Sequence, residues 1–447
     1  MASTYLTRAA SGSVTSQTTY TFSFWIKRNL TGVRDTVFMH ESASGHTQKL
    51  DLHFDNNDNW LIGHYDGTNE YNVKTNMKFR DCNGWYHIVT RIDTTQSTES
   101  DRYRIYVNGN QVDLTESGSG YPAQNSTLNL GQHPLVYGRY QASSPSGYFS
   151  GGLSHCHYCD GQSYAPTEFG QYDANGVWTI KTSPSVTYGT NGHFMFKDNN
   201  SVNDQSGNSN NFTVAGGTLT QTVDNPSNVF ATMNPLQQVR SGSAGVFDFS
   251  NGNTTIGKTS DSVWRTGLST LGMTSGKYYC EMKHNGGTHY IGIISYEDYI
   301  TESSGYPQTG DLANGVAFYI NTGQSSIAGT LASYGNYASS GDIIGIALDL
   351  DNNKIYFSIN GTWQNSGDPT SGSTGTGALT VQSNKTYMFA SSCNGSGNTY
   401  NHNYNFGNGY FGTTQVSSAG TNASGNGIFE YDVPTGYTAL STKGLNL

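Results

Sequence analysis

Charged side chains are scarce in this 447-residue chain. Only 12% of its residues are Asp, Glu, Lys or Arg, whereas a typical soluble protein has about 25%. The 32 acidic and 22 basic residues leave a formal net charge of −10. A protein that binds nucleic acid needs a basic surface to neutralise phosphates. The composition therefore excludes nucleic acid as an expected partner.

Long hydrophobic runs are missing as well. No stretch approaches the ~18 consecutive apolar residues of a membrane-spanning helix, and the first twenty residues lack the basic and apolar regions of a signal peptide. Cysteine is rare, and its odd count suits a reducing compartment better than a disulfide framework. We therefore expect synthesis in the cytoplasm, no membrane insertion, and export only by cell lysis. The five cysteines are Cys82, Cys156, Cys159, Cys280 and Cys393.

Helical periodicity is the third absence, because apolar residues at i, i+3, i+4 and i+7 are never sustained without a glycine. The chain is instead rich in tyrosine, phenylalanine and glycine, with 31, 19 and 55 residues. Aromatic side chains fit a pleated sheet, and glycine supplies the positive φ of tight turns. The sequence predicts an all-β protein with short helical turns at most, for example at residues 166–169.

Strands and hairpins are visible as apolar runs broken by turn residues. Residues 20–27 (YTFSFWIK) and 84–91 (GWYHIVTR) have the pattern of strands. Asn108-Gly109 stands between two apolar runs, which is a strong hairpin signal. Residues 343–363 predict two consecutive hairpins, and hence a β-meander.

The length favours two or three domains. Two strand-rich regions are separated by polar, turn-rich sequence with few apolar anchors. We expect a first β-sandwich at residues 1–165, an irregular connector at 166–240 and a second β-sandwich at 241–447. The end of the chain is too aromatic for a loose tail, so we expect it to pack on the second domain.

Both strand-rich regions resemble known families. Residues 22–27 (FSFWIK), 84–89 (GWYHIV) and 105–109 (IYVNG) resemble successive strands of a laminin-G-like, concanavalin A-type jelly roll. Residues 276–281 (GKYYCE), 290–293 (YIGI) and the 341–361 meander are similar to a SPRY-type β-sandwich. The resemblance implies two antiparallel β-sandwiches, one of each type.

The combination resembles structural proteins of tailed bacteriophages, especially marine ones. Phrases typical of that group recur in the connector and near the end of the chain, at residues 188–192 (YGTNG), 204–211 (DQSGNSNN), 234–236 (NPL) and 433–440 (VPTGYTAL). The resemblance implies a virion protein that forms a homo-oligomer or is present in many copies on the particle, in contact with other virion proteins.

Two roles follow from a place on the virion. The first is a non-catalytic tail-fibre or adhesin function, in which the protein binds a glycan or envelope protein of the host and gains affinity from multiple copies. The second is a purely structural role, as a decoration or fibre protein of the capsid or tail. An anchoring domain and a shaft, which a long tail fibre usually needs, are not apparent in the sequence, and this favours keeping the second role open.

Two motifs invite a metal. Cys156 and Cys159 form a C-x-x-C, but residues i and i+3 of a strand point to opposite faces about 10 Å apart, which favours a structural strand over a metal or redox site. The Asp-rich segments 55–59 and 349–353 carry oxygen ligands suited to Ca²⁺, but lack the EF-hand glycine and have the composition of hairpin turns. We expect no cofactor and leave calcium as the minor alternative.

A glycan-degrading enzyme is the remote alternative. Glycosidases of jelly-roll fold carry paired carboxylates on one strand face as Glu-x-Asp-x-Glu, and that motif is absent here. The remaining candidates are aromatic residues in Gly/Ser-rich connections of the second domain, which could face a sugar or partner protein or simply pack on the sandwich. These candidate ligand-binding residues are Tyr296, Tyr299, Tyr306, Tyr334 and Tyr337.

Overall fold

The structure, a computed structural model, divides into two compact units, residues 1–221 and 222–447. Nearly all of its regular structure is antiparallel β-sheet, which confirms the predicted all-β class. Within the part of the chain that the structure describes, no helix is long and apolar enough to cross a membrane. The described residues are 3–41, 49–128, 130–140, 145–197, 202–239, 247–258, 262–301 and 308–446.

Unit 1 contains strands β1 to β16 and two short 3₁₀ turns, Glu99–Asp101 and Pro166–Glu168. The strands are β1 Tyr5–Arg8, β2 Thr19–Arg28, β3 Asp35–Glu41, β4 Lys49–Phe54, β5 Trp60–Tyr65, β6 Glu70–Thr75, β7 Trp85–Asp93, β8 Tyr103–Val107, β9 Asn110–Gln111, β10 Leu114–Gly118, β11 Leu135–Tyr137, β12 Gly151–Asp160, β13 Gly170–Tyr172, β14 Trp178–Ile180, β15 His193–Met195 and β16 Thr213–Gly216.

Two sheets form the sandwich of unit 1. Their strand orders are β10-β6-β5-β4-β3-β11-β1-β16 and β15-β12-β2-β7-β8-β9, and β13 and β14 form a separate hairpin. Alternate residues of each strand face inward, as Phe22, Phe24 and Ile26 do in β2. Trp60 is fully buried between the sheets, and its indole N–H donates to the Thr90 hydroxyl at 3.0 Å. The predicted Asn108-Gly109 hairpin is confirmed, with φ of 47° and 84°.

The segment expected to be a connector is divided between the two units. Strand β15 pairs with β12, and β16 pairs with β1, so residues 193–195 and 213–216 each extend one sheet of unit 1. Met195 and Phe212 join its core. Further along, Met233 is buried in unit 2. These anchors lie in short apolar segments between polar turns, such as residues 194–196 (FMF), which is why their sequence has the composition of an irregular segment.

Unit 2 contains strands β17 to β34, the six-residue helix α1 (Tyr296–Thr301) and 3₁₀ turns at Gln364–Ser366, Gly372–Thr374 and Gly444–Asn446. The strands are β17 Met233–Val239, β18 Asp248–Ser250, β19 Thr255–Lys258, β20 Arg265–Ser269, β21 Lys277–Lys283, β22 Thr288–Ser295, β23 Val316–Tyr319, β24 Gln324–Ile327, β25 Thr330–Ser333, β26 Ile343–Asp349, β27 Lys354–Ile359, β28 Thr362–Trp363, β29 Leu379–Thr380, β30 Tyr387–Asn394, β31 Tyr400–Asn405, β32 Tyr410–Phe411, β33 Thr414–Gln415 and β34 Thr438–Ala439.

Unit 2 is also a two-sheet sandwich. One sheet has the order β17-β20-β30-β22-β23-β24-β25, and the other has the order β18-β19-β31-β21-β26-β27-β28. In the second sheet, β29 also pairs with β27 and β34 also pairs with β21. The meander predicted at residues 343–363 is confirmed as β26, β27 and β28. Its second turn is Asn360-Gly361, with φ of 48° and 77°.

A buried carboxylate ties the end of the chain to this second sheet. Glu281 of β21 is fully buried, and its oxygens accept the backbone N–H groups of Glu430 and Tyr431, each at 2.9 Å. The Tyr279 hydroxyl and the Asn405 amide donate to the same carboxylate at 3.1 and 3.3 Å. Burial raises the pKa of Glu281 to about 7, although all four donors favour its ionised form. The contacts position residues 429–440, whose apolar side chains pack on the sheet.

Glu281→Gln is expected to loosen this segment, because an amide nitrogen would face two of the four donors. A buried donor left without an acceptor costs about 1–3 kcal/mol, so unit 2 should lose about 2–4 kcal/mol of unfolding free energy. Hydrogen exchange at the Glu430 and Tyr431 amides measures the local effect. Glu116→Gln, at an exposed carboxylate, is the control. Unchanged protection of both amides in Glu281→Gln would contradict this account.

Candidate functional site

The candidate tyrosines of the second domain occupy different environments. Tyr296 and Tyr299 lie in helix α1, so their predicted loop location is wrong. Tyr299 is 7% exposed and packs against Leu268 and Ile294, while Tyr296 is half-buried beside the same cluster. Tyr306 lies outside the described residues.

Tyr334 and Tyr337 differ sharply in exposure. Tyr334 follows β25 but is only 5% exposed, because its ring fills the space between Phe318 of β23 and Phe357 of β27. Tyr337 is 69% exposed. The Gly/Ser-rich surroundings correctly indicate a loop here, but they do not show which ring turns inward. Of the four tyrosines that are described, Tyr337 is the one that offers its ring to solvent.

A second aromatic site lies in unit 1, on the hairpin of β13 and β14, where the sequence predicts a connector. Tyr172 is 53% exposed, and its ring meets Trp178 edge-on at 4.9 Å. The Asn110 side-chain amide donates to the Tyr172 hydroxyl at 3.2 Å. Val177, 57% exposed, stands beside them on the same hairpin. We call Tyr172, Val177, Trp178 and Asn110 the Tyr172 platform.

Trp178 holds the platform in place. Its ring stacks on His87 at 5.8 Å, and its indole N–H donates to His87 Nδ1 at 2.9 Å. Burial lowers the pKa of His87 to about 3, so this imidazole is neutral and able to accept at Nδ1. The indole also covers Gly109 and Gly170, where an added Cβ would lie 2.6 and 2.4 Å from its ring atoms. The two glycines therefore leave the space that Trp178 occupies.

A turn signal in the sequence could have located this hairpin. The Asp173 carboxylate accepts the backbone N–H groups of Asn175 and Val177, and Gly176 has φ of 78°. Asn175-Gly176 between Tyr172 and Trp178 is the same hairpin signal that identifies Asn108-Gly109. An exposed, oriented aromatic ring beside a side-chain amide suits a sugar ring or a flat protein surface.

The two cysteines of the C-x-x-C lie in strand β12, as predicted. Cys156 points into the main core of unit 1, whereas Cys159 packs with Val89 and Phe169 on the opposite face. Burial raises the pKa of both thiols, which disfavours the thiolate that a metal or a redox reaction needs.

Both Asp-rich segments form the predicted hairpin turns. Asp55 accepts backbone N–H groups within its own turn, and Asp58 pairs with Arg28 at 3.0 Å and Arg80 at 3.1 Å. In the other turn, Asp349 pairs with Lys277 at 2.9 Å. These contacts engage carboxylates that the calcium alternative would use as ligands.

Asp51 is a buried carboxylate of unit 1 with three charged or ionisable neighbours. It is 1% exposed and contacts His53 at 2.5 Å and Arg34 at 2.6 Å. Burial would raise the pKa of Asp51, but His53, Arg34 and Lys49 outweigh it and lower the pKa to about 2. Asp51 is therefore an ionised member of an ion-pair network and not a proton donor at neutral pH.

Three histidines of unit 2 meet in its interior, and the sequence analysis missed them. His284, His289 and His402 are 2%, 0% and 0% exposed, and one ring nitrogen of each lies within 4.8 Å of the other two. Within the described part of the chain, His284 Nδ1, His289 Nδ1 and His402 Nε2 have no hydrogen-bond partner. A buried polar atom without a partner costs about 1–3 kcal/mol. Among the residues that the structure describes, these three form a group that could hold a metal.

Comparison with known families agrees with the two sandwiches. Residues 2–157 match the profile of the concanavalin A-like lectin/glucanases superfamily (Laminin_G_3), and residues 246–380 match the SPRY domain profile. The chain therefore combines an N-terminal concanavalin-like domain with a C-terminal SPRY domain. No curated protein shows significant similarity to it.

Solved structures that match parts of this chain include the following three. The native heptameric SAP-like pentraxin of Limulus polyphemus is 12% identical over 37% of this chain and 73% of its own, with a TM-score of 0.29. The SPRY domain of human HERC1 is 15% identical over 38% and 96%, with a TM-score of 0.29. The TRIM65 PSpry domain is 13% identical over 39% and 89%, also with a TM-score of 0.29.

Replacement of the two platform rings should separate their roles. Trp178→Ala removes a half-buried indole and its hydrogen bond to His87, and should lower the stability of unit 1 by about 2–4 kcal/mol. Tyr172→Ala removes a mostly exposed ring and should cost no more than about 1 kcal/mol. Urea denaturation followed by fluorescence measures both. Equal losses in the two variants would show that Tyr172 is a structural residue.

Proposed function

We propose that this chain is a non-catalytic surface protein of a tailed-bacteriophage virion that binds a glycan or envelope protein of the host. The observation that carries the binding role is the Tyr172 platform, where an exposed ring is oriented by Trp178 and Asn110. The virion location is supported by the connector and C-terminal phrases that resemble tailed-phage structural proteins. The superfamily matched by residues 2–157 includes lectins by its description, which is consistent with a glycan ligand.

The chemistry of the platform favours an uncharged ligand. Its exposed side chains are aromatic, aliphatic and amide groups, and only 12% of all residues in the chain are charged. An aromatic face and an amide together contact the C–H and O–H groups of a sugar ring. One such site binds weakly, and many copies on one particle raise the overall affinity through effective concentration.

The state of one buried carboxylate of unit 1, Asp51, is consistent with a non-catalytic role. A retaining glycosidase needs a nucleophile and a proton donor about 5–5.5 Å apart. Asp51, with its pKa lowered to about 2, is held by a histidine and two basic side chains. These ion pairs give Asp51 a structural role within unit 1.

Tyr172→Ala is expected to weaken attachment to host envelopes while leaving the fold intact. The apparent affinity of a multivalent form should fall at least tenfold, because the loss of affinity at each site is multiplied over several contacts. Binding of bead-displayed protein to host cells and to a glycan array measures it. Tyr337→Ala tests the exposed tyrosine of unit 2 in the same way.

Val33→Ala, at a residue that is 43% exposed, is the matched control for loss of surface area. Loss in Tyr172→Ala with no change in Val33→Ala supports the platform as the contact site. Unchanged binding in both tyrosine variants would remove both rings from the adhesive surface.

The alternative structural role, as a capsid or tail decoration protein, is favoured by strand β25. This strand is at the edge of its sheet, all four of its residues are exposed, and it carries Leu331 with 46% exposure. It contains neither proline nor a charged residue, the usual protections of a free edge. Such an edge is able to pair with a strand of a neighbouring virion subunit.

Leu331→Lys tests this alternative, since a charge on an edge strand opposes pairing with another strand. If β25 is an assembly contact, the variant will self-associate less in light scattering and enter fewer particles. Met77→Lys, at a residue 39% exposed in unit 1, controls for added charge. Normal incorporation of Leu331→Lys argues against the structural role. Immunogold labelling of particles then distinguishes a tail location, which favours adhesion, from a head location.

A further inference from the structure

The three histidines of unit 2 stand at positions that the strand pattern reserves for apolar side chains. In β22, His289 shares the inward face with Ile291 and Ile293. In β31, His402 lies between the inward-facing Tyr400 and Tyr404. The end of the core is thus lined by imidazoles from both sheets.

The third histidine follows the same pattern. Cys280 and Met282 of β21 face the core, and His284 continues their two-residue period just beyond the strand end. Backbone hydrogen bonds fix it there: the His284 N–H donates to Asp342 O at 2.9 Å, and the Gly341 N–H donates to His284 O at 2.7 Å. The position of His284 is therefore set by its own strand and by the 341–342 turn.

One ring nitrogen of each histidine has no hydrogen-bond partner among the described residues. His289 Nε2 bonds the Ser391 hydroxyl at 2.8 Å, and Ser391 in turn contacts the Cys393 thiol at 3.4 Å. His402 Nδ1 accepts from the Asn285 N–H at 3.3 Å, a long contact. The second nitrogen of each of these two rings, and Nδ1 of His284, has no partner among the described residues.

We propose that His284, His289 and His402 together bind one divalent transition-metal ion of the Zn²⁺ type. Imidazole nitrogens favour zinc and its neighbours, whereas Ca²⁺ and Mg²⁺ prefer oxygen ligands. Three protein ligands are also the number found in zinc sites that keep a fourth position for water. His289 binds through Nδ1 while Ser391 orients its other nitrogen, as an outer partner does in known sites.

Two further properties suit the rings to this role. Metal binding requires neutral imidazoles, and burial lowers the pKa of all three, that of His284 to about 4. The turn at Gly286 and Gly287, both with positive φ, leads from His284 to β22. The turn residues 285–288 are only partly buried.

Binding must also rearrange the rings. His402 stacks on His284 at 5.1 Å and on His289 at 4.1 Å, with interplanar angles of 11° and 27°. A bound ion lies in the plane of each imidazole at about 2.0–2.1 Å from nitrogen. Nearly parallel rings do not meet that condition, so they turn about their Cβ–Cγ bonds when the ion enters. The stack is the metal-free arrangement of the site.

The experiment uses the full chain without a histidine tag, stripped with EDTA and titrated with Co²⁺. We expect one ion per chain, visible d–d absorption bands, displacement by Zn²⁺ and no displacement by Ca²⁺. His289→Gln and His402→Gln should each lower the affinity at least tenfold. His133→Gln, at a half-buried histidine of unit 1, should leave it unchanged.

Circular dichroism and thermal melts identify variants that do not fold. If neither His289→Gln nor His402→Gln folds, anomalous scattering from Zn²⁺-soaked crystals of the unchanged protein shows directly whether the three histidines bind the metal. Anomalous density between the three rings, with the rings turned out of their stack, supports the proposal. Absence of stoichiometric Co²⁺ binding, binding that persists in folded His289→Gln and His402→Gln, or zinc only at surface histidines would overturn it.

Discussion

Both units depend on the two-residue period of their strands, because only every second side chain reaches the layer between two packed sheets. Phe22, Phe24 and Ile26 fill that layer in unit 1, and Ile291 and Ile293 do so in unit 2. A shift of one residue in any of these strands would turn its apolar side chains toward solvent. The alternation therefore fixes the register of the strands, and the register places every turn.

Most buried polar groups of folded proteins have a hydrogen-bond partner, and Arg28 and Glu281 follow this rule. Arg28 continues the inward series of β2, and it is fully buried because Asp58 and the Phe79 carbonyl accept its N–H groups while Phe54 lies against its guanidinium. On the outer face of β21, Glu281 is covered because four donors converge on it. Each buried charge thus fastens one segment of chain to its sheet.

The sequence was sufficient for the fold class, the main strands and the Asn-Gly turns, since these follow from local alternation and from the positive φ that Asn and Gly accept. The sequence was insufficient where the burial or exposure of a single side chain had to be predicted. Tyr334 and Tyr337 have similar sequence surroundings, yet one fills a gap beside Phe357 and the other is exposed. Met195 and Phe212 were unrecognised because β15 and β16 are too short to show a period, and Phe212 lies just before β16. The histidines required knowledge of which strands face each other across the core.

The candidate sites differ in how much the fold requires of them. Trp178 is needed by the hairpin that it supports, because it fills the space over Gly109 and Gly170. Tyr172 rests on Trp178 and fills no such gap, so its exposure serves nothing in the folding of unit 1. The same distinction applies in the core of unit 2, where leucine or isoleucine would suit the inward positions of His289 and His402 better than imidazole. Binding sites are expected at residues that the fold does not need but that neighbouring structural residues hold in a fixed geometry. Tyr172 of the platform and the three histidines meet that condition.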